Sequence, residues 1–187
     1  VTTPSYTPVA ADFVDASAST YEYFVRAICS ATNTSYWSGP KVFIRNDDAS
    51  KSVTLPVNAN QNCSEQGTDV SFFGATPSTE PTSCEGLNGG DVWFDFVAAS
   101  KVHIIELSNF NPGSYYASAY VGIWPKIIMS LYEVQADGTL LEKLCSENNS
   151  LTAHYASELT IGTTYKIRVK LNSDVPNDKK FNICVTT

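Results

Sequence analysis

The chain has 187 residues, of which 43% are hydrophobic and 17% charged, and a formal net charge of −7. This composition describes a folded protein of one large or two small domains and excludes a disordered one. Its acidity, with no basic cluster beyond Lys179-Lys180, excludes nucleic acid and anionic membranes and leaves calcium, neutral glycans or proteins as partners. No run approaches the roughly 18 apolar residues that cross a bilayer. The first residue is Val1 and no basic-then-apolar segment opens the chain, which fits a processed or trimmed piece of something longer. Nine Phe, ten Tyr and three Trp against a single Met indicate a β-rich interior.

Residues 1–45 read as strands separated by turns. Thr20 to Cys29 alternates, with Tyr21, Tyr23, Val25 and Ala27 on one face. A polar turn, Ser30 to Ser35, follows, and Tyr36-Trp37-Ser38-Gly39-Pro40 leads into a short strand, Lys41 to Ile44. Residues 46–50, Asn-Asp-Asp-Ala-Ser, are polar and patternless and mark a boundary between units. The second unit, 51–187, starts with a strand over Ser52 to Val57. The stretch from Asn58 to Gly90 is a long loop rich in Ser, Thr, Asn, Gly and Pro, of a length uncommon in a compact domain unless stapled or functional.

Gly89-Gly90 makes a turn, and a strand begins at once at Asp91. Val92, Phe94 and Phe96 fall on one face, and Asp91, Trp93 and Asp95 on the other, as in a strand with one face in a core. Lys101 to Leu107 reads as its hairpin partner. Residues 108–125 form an aromatic insertion. Lys126 to Val134 and Thr139 to Cys145 read as a hairpin turned at Asp137-Gly138. A Gly162-Thr163-Thr164-Tyr165 turn launches a strand with Tyr165, Ile167 and Val169 inward, and Lys180 to Val185 closes the unit after a loop, Asn172 to Asp178. No segment has helical periodicity over three turns, so the chain is all-β.

Five cysteines, at 29, 63, 84, 145 and 184, contain no Cys-x-x-Cys pair. They therefore read as disulfides of an oxidising compartment and not as a zinc ribbon or redox motif. Pairing Cys63 with Cys84 would staple the long loop, and pairing Cys145 with Cys184 would tie a strand end to the last strand. Each bond contributes about 3–4 kcal/mol in the chain-entropy picture. Cys29 is left over, and the connectivity stays open among all pairings of four of the five.

The pattern Thr20-Tyr21-x-Tyr23-x-Val25-x-Ala27, with the Trp37-Ser38-Gly39-Pro40 turn and the strand after it, resembles the C-terminal half of a fibronectin type III domain. Tyr21 is placed like the tyrosine-corner residue of such sandwiches. The resemblance implies a truncation, with the opening strands, and any partner of Cys29, upstream of this chain; the alternative is a complete small unit. Residues 51–187 resemble the secreted β-sandwich modules related to bacterial pre-peptidase C-terminal domains. The matching landmarks are Asp91-Val92-Trp93-Phe94-x-Phe96, Leu131-Tyr132-Glu133, Leu144-Cys145, Gly162-Thr163-Thr164-Tyr165-x-Ile167-x-Val169 and Phe181-x-Ile183-Cys184-Val185. The implied fold is a jelly-roll-like antiparallel β-sandwich. The implied setting is a large exported protein of Bacteroidetes, carried by type IX secretion to the cell surface or medium, where such modules space or anchor catalytic, adhesive or sorting domains.

Catalysis is not expected. The two histidines, His103 and His154, read as surface or edge residues, with no Gly-x-Ser-x-Gly elbow and no His-Glu-x-x-His beside them. Asp91 and Asp95 would stand some 13 Å apart by strand rise, wider than either glycosidase carboxylate pair. Calcium is the one candidate cofactor. Glu85, Asn88 and Asp91, with the Gly89-Gly90 carbonyls, supply the oxygen ligands a hard cation needs, as Asp47-Asp48 or Asp174 with Asp178 could; a solvated or turn-capping role is the alternative for each. Tyr115, Tyr116, Tyr120 and Trp124 could form a platform for sugar rings, or else a minor core over one end of the sandwich. Trp37 and Trp93 read as structural. Sequons at Asn33, Asn62 and Asn148 carry meaning only in a eukaryotic secretory pathway. The expected function is a non-catalytic accessory or adhesion module binding polysaccharide or a surface protein; the alternative is a structural spacer of a secreted hydrolase, a peptidase or glycoside hydrolase, with no ligand of its own.

Overall fold

A computed structural model describes residues 20–30, 33–44, 46–59, 63, 67–72, 74–84, 89–111, 127–148, 153–171 and 180–187. In chain order the strands are β1 (Thr20–Val25), β2 (Ile28–Ser30), β3 (Asn33–Thr34), β4 (Ser38–Ile44), β5 (Val53–Thr54), β6 (Val57–Asn58), β7 (Thr68–Ser71), β8 (Asp91–Val97), β9 (His103–Asn111), β10 (Ile127–Val134), β11 (Leu140–Asn148), β12 (Ala153–Ala156), β13 (Thr164–Leu171) and β14 (Lys180–Thr186). No described helix is long and apolar enough to cross a membrane.

In residues 20–30 and 33–44, β1 pairs antiparallel with β4, and β2 with β3. Phe24, Val25, Ile28, Tyr36 and Trp37 are exposed here, and the Arg26 guanidinium lies over the Trp37 ring at 4.6 Å. The Cys29 side chain lies outside the described part.

The remainder is a β-sandwich. The first sheet runs β11-β10-β13-β8-β5, and the second runs β12-β9-β14-β6, with β7 also on β14. Alternation fills the space between them. Val92, Phe94 and Phe96 of β8, Tyr165, Ile167 and Val169 of β13, and Met129 and Leu131 of β10 meet Ile105, Leu107, Phe181, Ile183 and Val185 of the second sheet. Phe94 packs edge-on against Phe181 across the layers, as Phe96 does against His103.

Three features depart from the sequence expectations. β9 is not the hairpin partner of β8: the chain crosses to the other sheet through 98–102, and β8 is flanked by β13 and β5. The single strand expected over 52–57 divides into β5 and β6, one in each sheet, and both pair in parallel, so the sandwich is mixed and not purely antiparallel. The long loop holds a strand, β7, which lies antiparallel along β14.

That last pairing also corrects the disulfides. The bonds join Cys63 to Cys184 and Cys84 to Cys145, not Cys63 to Cys84 and Cys145 to Cys184. β7 carries the chain just after Cys63 onto β14, which holds Cys184. Cys145 faces outward from β11 and meets the segment that ends at Cys84. The β10–β11 hairpin forms as expected, with Gly138 at φ 83° and Asp137 accepting from the amide and hydroxyl of Thr139.

Candidate functional site

β8 is buried on both faces. Alternation puts Asp91, Trp93 and Asp95 on the face opposite the core, and on that face Asp91 is as fully buried as Trp93, both 0% exposed. The cover is residues 74–84, an extended strap across the outside of the first sheet.

Each stretch of the strap is held by a different side chain. Asp47 accepts from the amide and hydroxyl of Thr76, at 2.6 and 2.7 Å. Asp91 accepts from the amide and hydroxyl of Ser78, at 3.0 and 2.7 Å, and from the Trp93 indole at 2.9 Å. Arg168, on neighbouring β13, donates twice to Asp91 Oδ2 and also to the carbonyls of Ser78 and Glu80. The Tyr132 hydroxyl donates to the Pro81 carbonyl. Glu142 on β11 accepts from the Thr82 hydroxyl and the Ser83 amide, and the Cys84–Cys145 bond anchors the end. Beneath the strap, Trp93, Tyr132 and Ala49 form a second small core, with the two rings 5.4 Å apart.

The buried ion pair at the centre is complete. Burial opposes the Arg168 charge, and the adjacent Asp91 carboxylate outweighs it, so the guanidinium pKa is raised above its ordinary value. The geometry excludes Asp91 as an exposed calcium ligand, because its oxygens are taken by Arg168, Ser78 and Trp93. Glu85 and Asn88, expected beside it, lie outside the described residues, as do Tyr115, Tyr116, Tyr120, Trp124, Asp174 and Asp178. Among the described residues no group of three or more His, Cys, Asp or Glu is arranged to hold a metal ion.

Between the strap and the turn at 47–51 lies an open cleft of about 380 Å³, lined by Asp47, Asp48, Lys51 and residues 76–80. Asp47 and Asp48 thus flank a cavity, but as wall residues: Asp47 holds Thr76, and Asp48 caps the short turn Ala49–Lys51 by accepting from the Ser50 amide. Hydrogen bonding from the Ser50 hydroxyl and amide, more than the nearby Lys51 and Lys166, holds the Asp48 carboxyl below its usual range. Within this lining, Glu80 Oε2 is buried without a hydrogen-bond partner. The residues expected as a patternless linker are therefore docked on the sandwich, with Asn46 at 0% exposure and its carbonyl accepting from the Trp93 amide.

Both histidine side chains are buried, His103 on inner strand β9, against the expectation, and His154 on edge strand β12. His103 is fully buried: one ring nitrogen accepts from the Ala99 and Ser100 amides, so the other, Nδ1, carries the proton it gives to the Thr186 carbonyl. His154 is 8% exposed on edge strand β12, and burial lowers its pKa. Asp95 accepts from the Ser52 and Thr54 hydroxyls and shares nothing with Asp91.

Arg168, Ser78 and Glu142 were not singled out from the sequence, and Tyr132 entered only as a landmark of the resemblance. The one available signal was Arg168 at an outward position of its strand, which gains meaning only once β13 is known to lie beside β8. No protein-family model, curated protein or solved structure matches the chain.

Proposed function

We propose that the chain is a non-catalytic accessory or adhesion module of an exported multidomain bacterial protein, taking polysaccharide or a surface protein as its partner. The finer fold reading goes with it: a fibronectin type III half-domain, then a jelly-roll-like sandwich of the pre-peptidase C-terminal kind. The supporting observation is how the outer face of the first sheet uses its polar chemistry. Asp91, Arg168 and Glu142, the charged groups best placed for work, are spent on holding the strap. What stays open is a polar cleft beside it. Two disulfides are compatible with an extracellular protein.

A binding screen against polysaccharides and glycans, run with calcium and with chelator, tests this reading. Specific binding that is lost on Trp124→Ala places the partner on the aromatic insertion. Loss on Glu80→Gln places it at the cleft. A negative in both buffers supports the second reading, a spacer of a secreted hydrolase, which the internal use of the same charged groups also favours. Hydrolysis on a broad substrate panel would overturn both.

A further inference from the structure

We propose that Cys84 is a site of reversible S-thiolation, where a low-molecular-weight thiol opens the Cys84–Cys145 bond and frees the end of the strap. This holds whichever partner the module takes.

The two disulfides differ in access. Cys63 and Cys184 are 4% and 3% exposed, and Cys184 lies on β14, inside its sheet. Cys84 and Cys145 are both only half-buried, one at the end of a covering segment and the other on edge strand β11. Thiol exchange requires a thiolate to reach one sulfur. The second bond admits that approach and the first does not.

The two sulfurs of the accessible bond are also unequal. Ser130 Oγ and Thr82 Oγ1 each lie 3.2 Å from Cys145 Sγ. Thr82 gives its one proton to Glu142, so Ser130 is the hydroxyl with a proton to offer, to Thr82 Oγ1 at 3.1 Å or to Cys145 Sγ, and a thiolate charge on Cys145 draws it to the sulfur. Ser130 is itself fully buried. Among the described residues no hydroxyl is placed in this way against Cys84 Sγ. A leaving thiolate that is hydrogen-bonded is the better leaving group. Cys84 is therefore the sulfur attacked and Cys145 the sulfur that leaves.

The step balances. A thiolate forms a bond to Cys84 Sγ, the Cys84–Cys145 bond breaks, and its electron pair moves onto Cys145 Sγ. Ser130 donates to that thiolate until solvent supplies a proton. A second thiol attacking the added sulfur releases Cys84 and a small-molecule disulfide, so two thiols supply the two electrons. Residues 76–81 stay seated through Arg168, Asp91 and Tyr132, and Cys63–Cys184 stays closed, so the modified protein remains folded.

The test exposes the folded protein to reduced glutathione and, separately, to cysteamine, followed by acid quenching and peptide mass mapping. One adduct per chain is expected, on Cys84 over Cys145 by about tenfold, with Cys63–Cys184 intact. Cysteamine, which is cationic, should react faster than anionic glutathione beside Glu142. Ser130→Ala should move the ratio of adducts towards one, and Ser130→Thr should preserve it. Equal adducts in the native protein, opening of Cys63–Cys184 at the same rate, or adducts formed only in urea would each overturn the proposal.

Discussion

Arg168 Nη2 lies 2.7 Å from Asp91 Oδ2 on the outside of the first sheet, with both side chains at most 2% exposed. An outward face carries a sealed ion pair because the strap lies over it. Removing one partner leaves a buried charge uncompensated, so Asp91→Asn or Arg168→Met should each cost about 3–5 kcal/mol. Urea unfolding of both and of the double variant checks this. The double variant should cost clearly less than the two single costs added; simple additivity would mean that the two groups act independently.

Gly90 is fixed by the same layer. A Cβ at this position would fall 2.2 Å from the Ala75 carbonyl oxygen and 2.5 Å from its carbon, both backbone atoms that cannot turn aside. Gly90→Ala should lower stability by about 2–3 kcal/mol by pushing the strap off the sheet. Enhanced proteolysis within 74–84 would accompany it, and wild-type resistance in that segment would contradict the close approach.

The Tyr132 hydroxyl donates to the Pro81 carbonyl while its ring packs on Trp93. Tyr132→Phe keeps the ring and removes one neutral hydrogen bond, for a loss of about 1 kcal/mol. Amide exchange should rise around 81–83 and stay unchanged in β9 and β14. A uniform rise would show instead that the strap and sandwich open together.

His154 gives a pH dependence with a definite sign. Its ordinary pKa is 6.5, and burial lowers it in the folded chain. The folded state thus binds protons less readily than the unfolded one, and protonation favours unfolding. The contribution of His154 to stability is whole above pH 6.5, drains as the pH falls towards the lowered folded value, and then levels off. His154→Leu should flatten the melting temperature between pH 7.5 and 5.5, taken here as roughly the range over which an imidazole titrates. An unchanged slope in that variant would remove His154 as its source.

The local pattern was legible where one chemistry decides. Strict alternation placed Val92, Phe94 and Phe96 in the core, and Asp137-Gly138 and Gly162 set the turns that launch β11 and β13. Pairing was not legible, because β8 and β9 alternate identically whether they share a sheet or face each other. The disulfides failed for the same reason: Cys63 finds Cys184 through the pairing of β7 with β14, which no local signal in a polar, Ser- and Thr-rich stretch announces. The strap was missed because its anchors are single side chains scattered from Asp47 to Arg168, and periodicity reports on faces, not on what covers them.

β14 has neighbours along both edges: β9 on one side, and β7 and then β6 on the other. It is also the last of these strands to leave the ribosome. Until residues 180–186 have emerged, β6, β7 and β9 lack the strand that unites them, and Cys63 waits 121 residues for its partner. The second sheet therefore closes only once β14 is made, whereas the β8, β10, β11 and β13 pairings of the first need nothing from it.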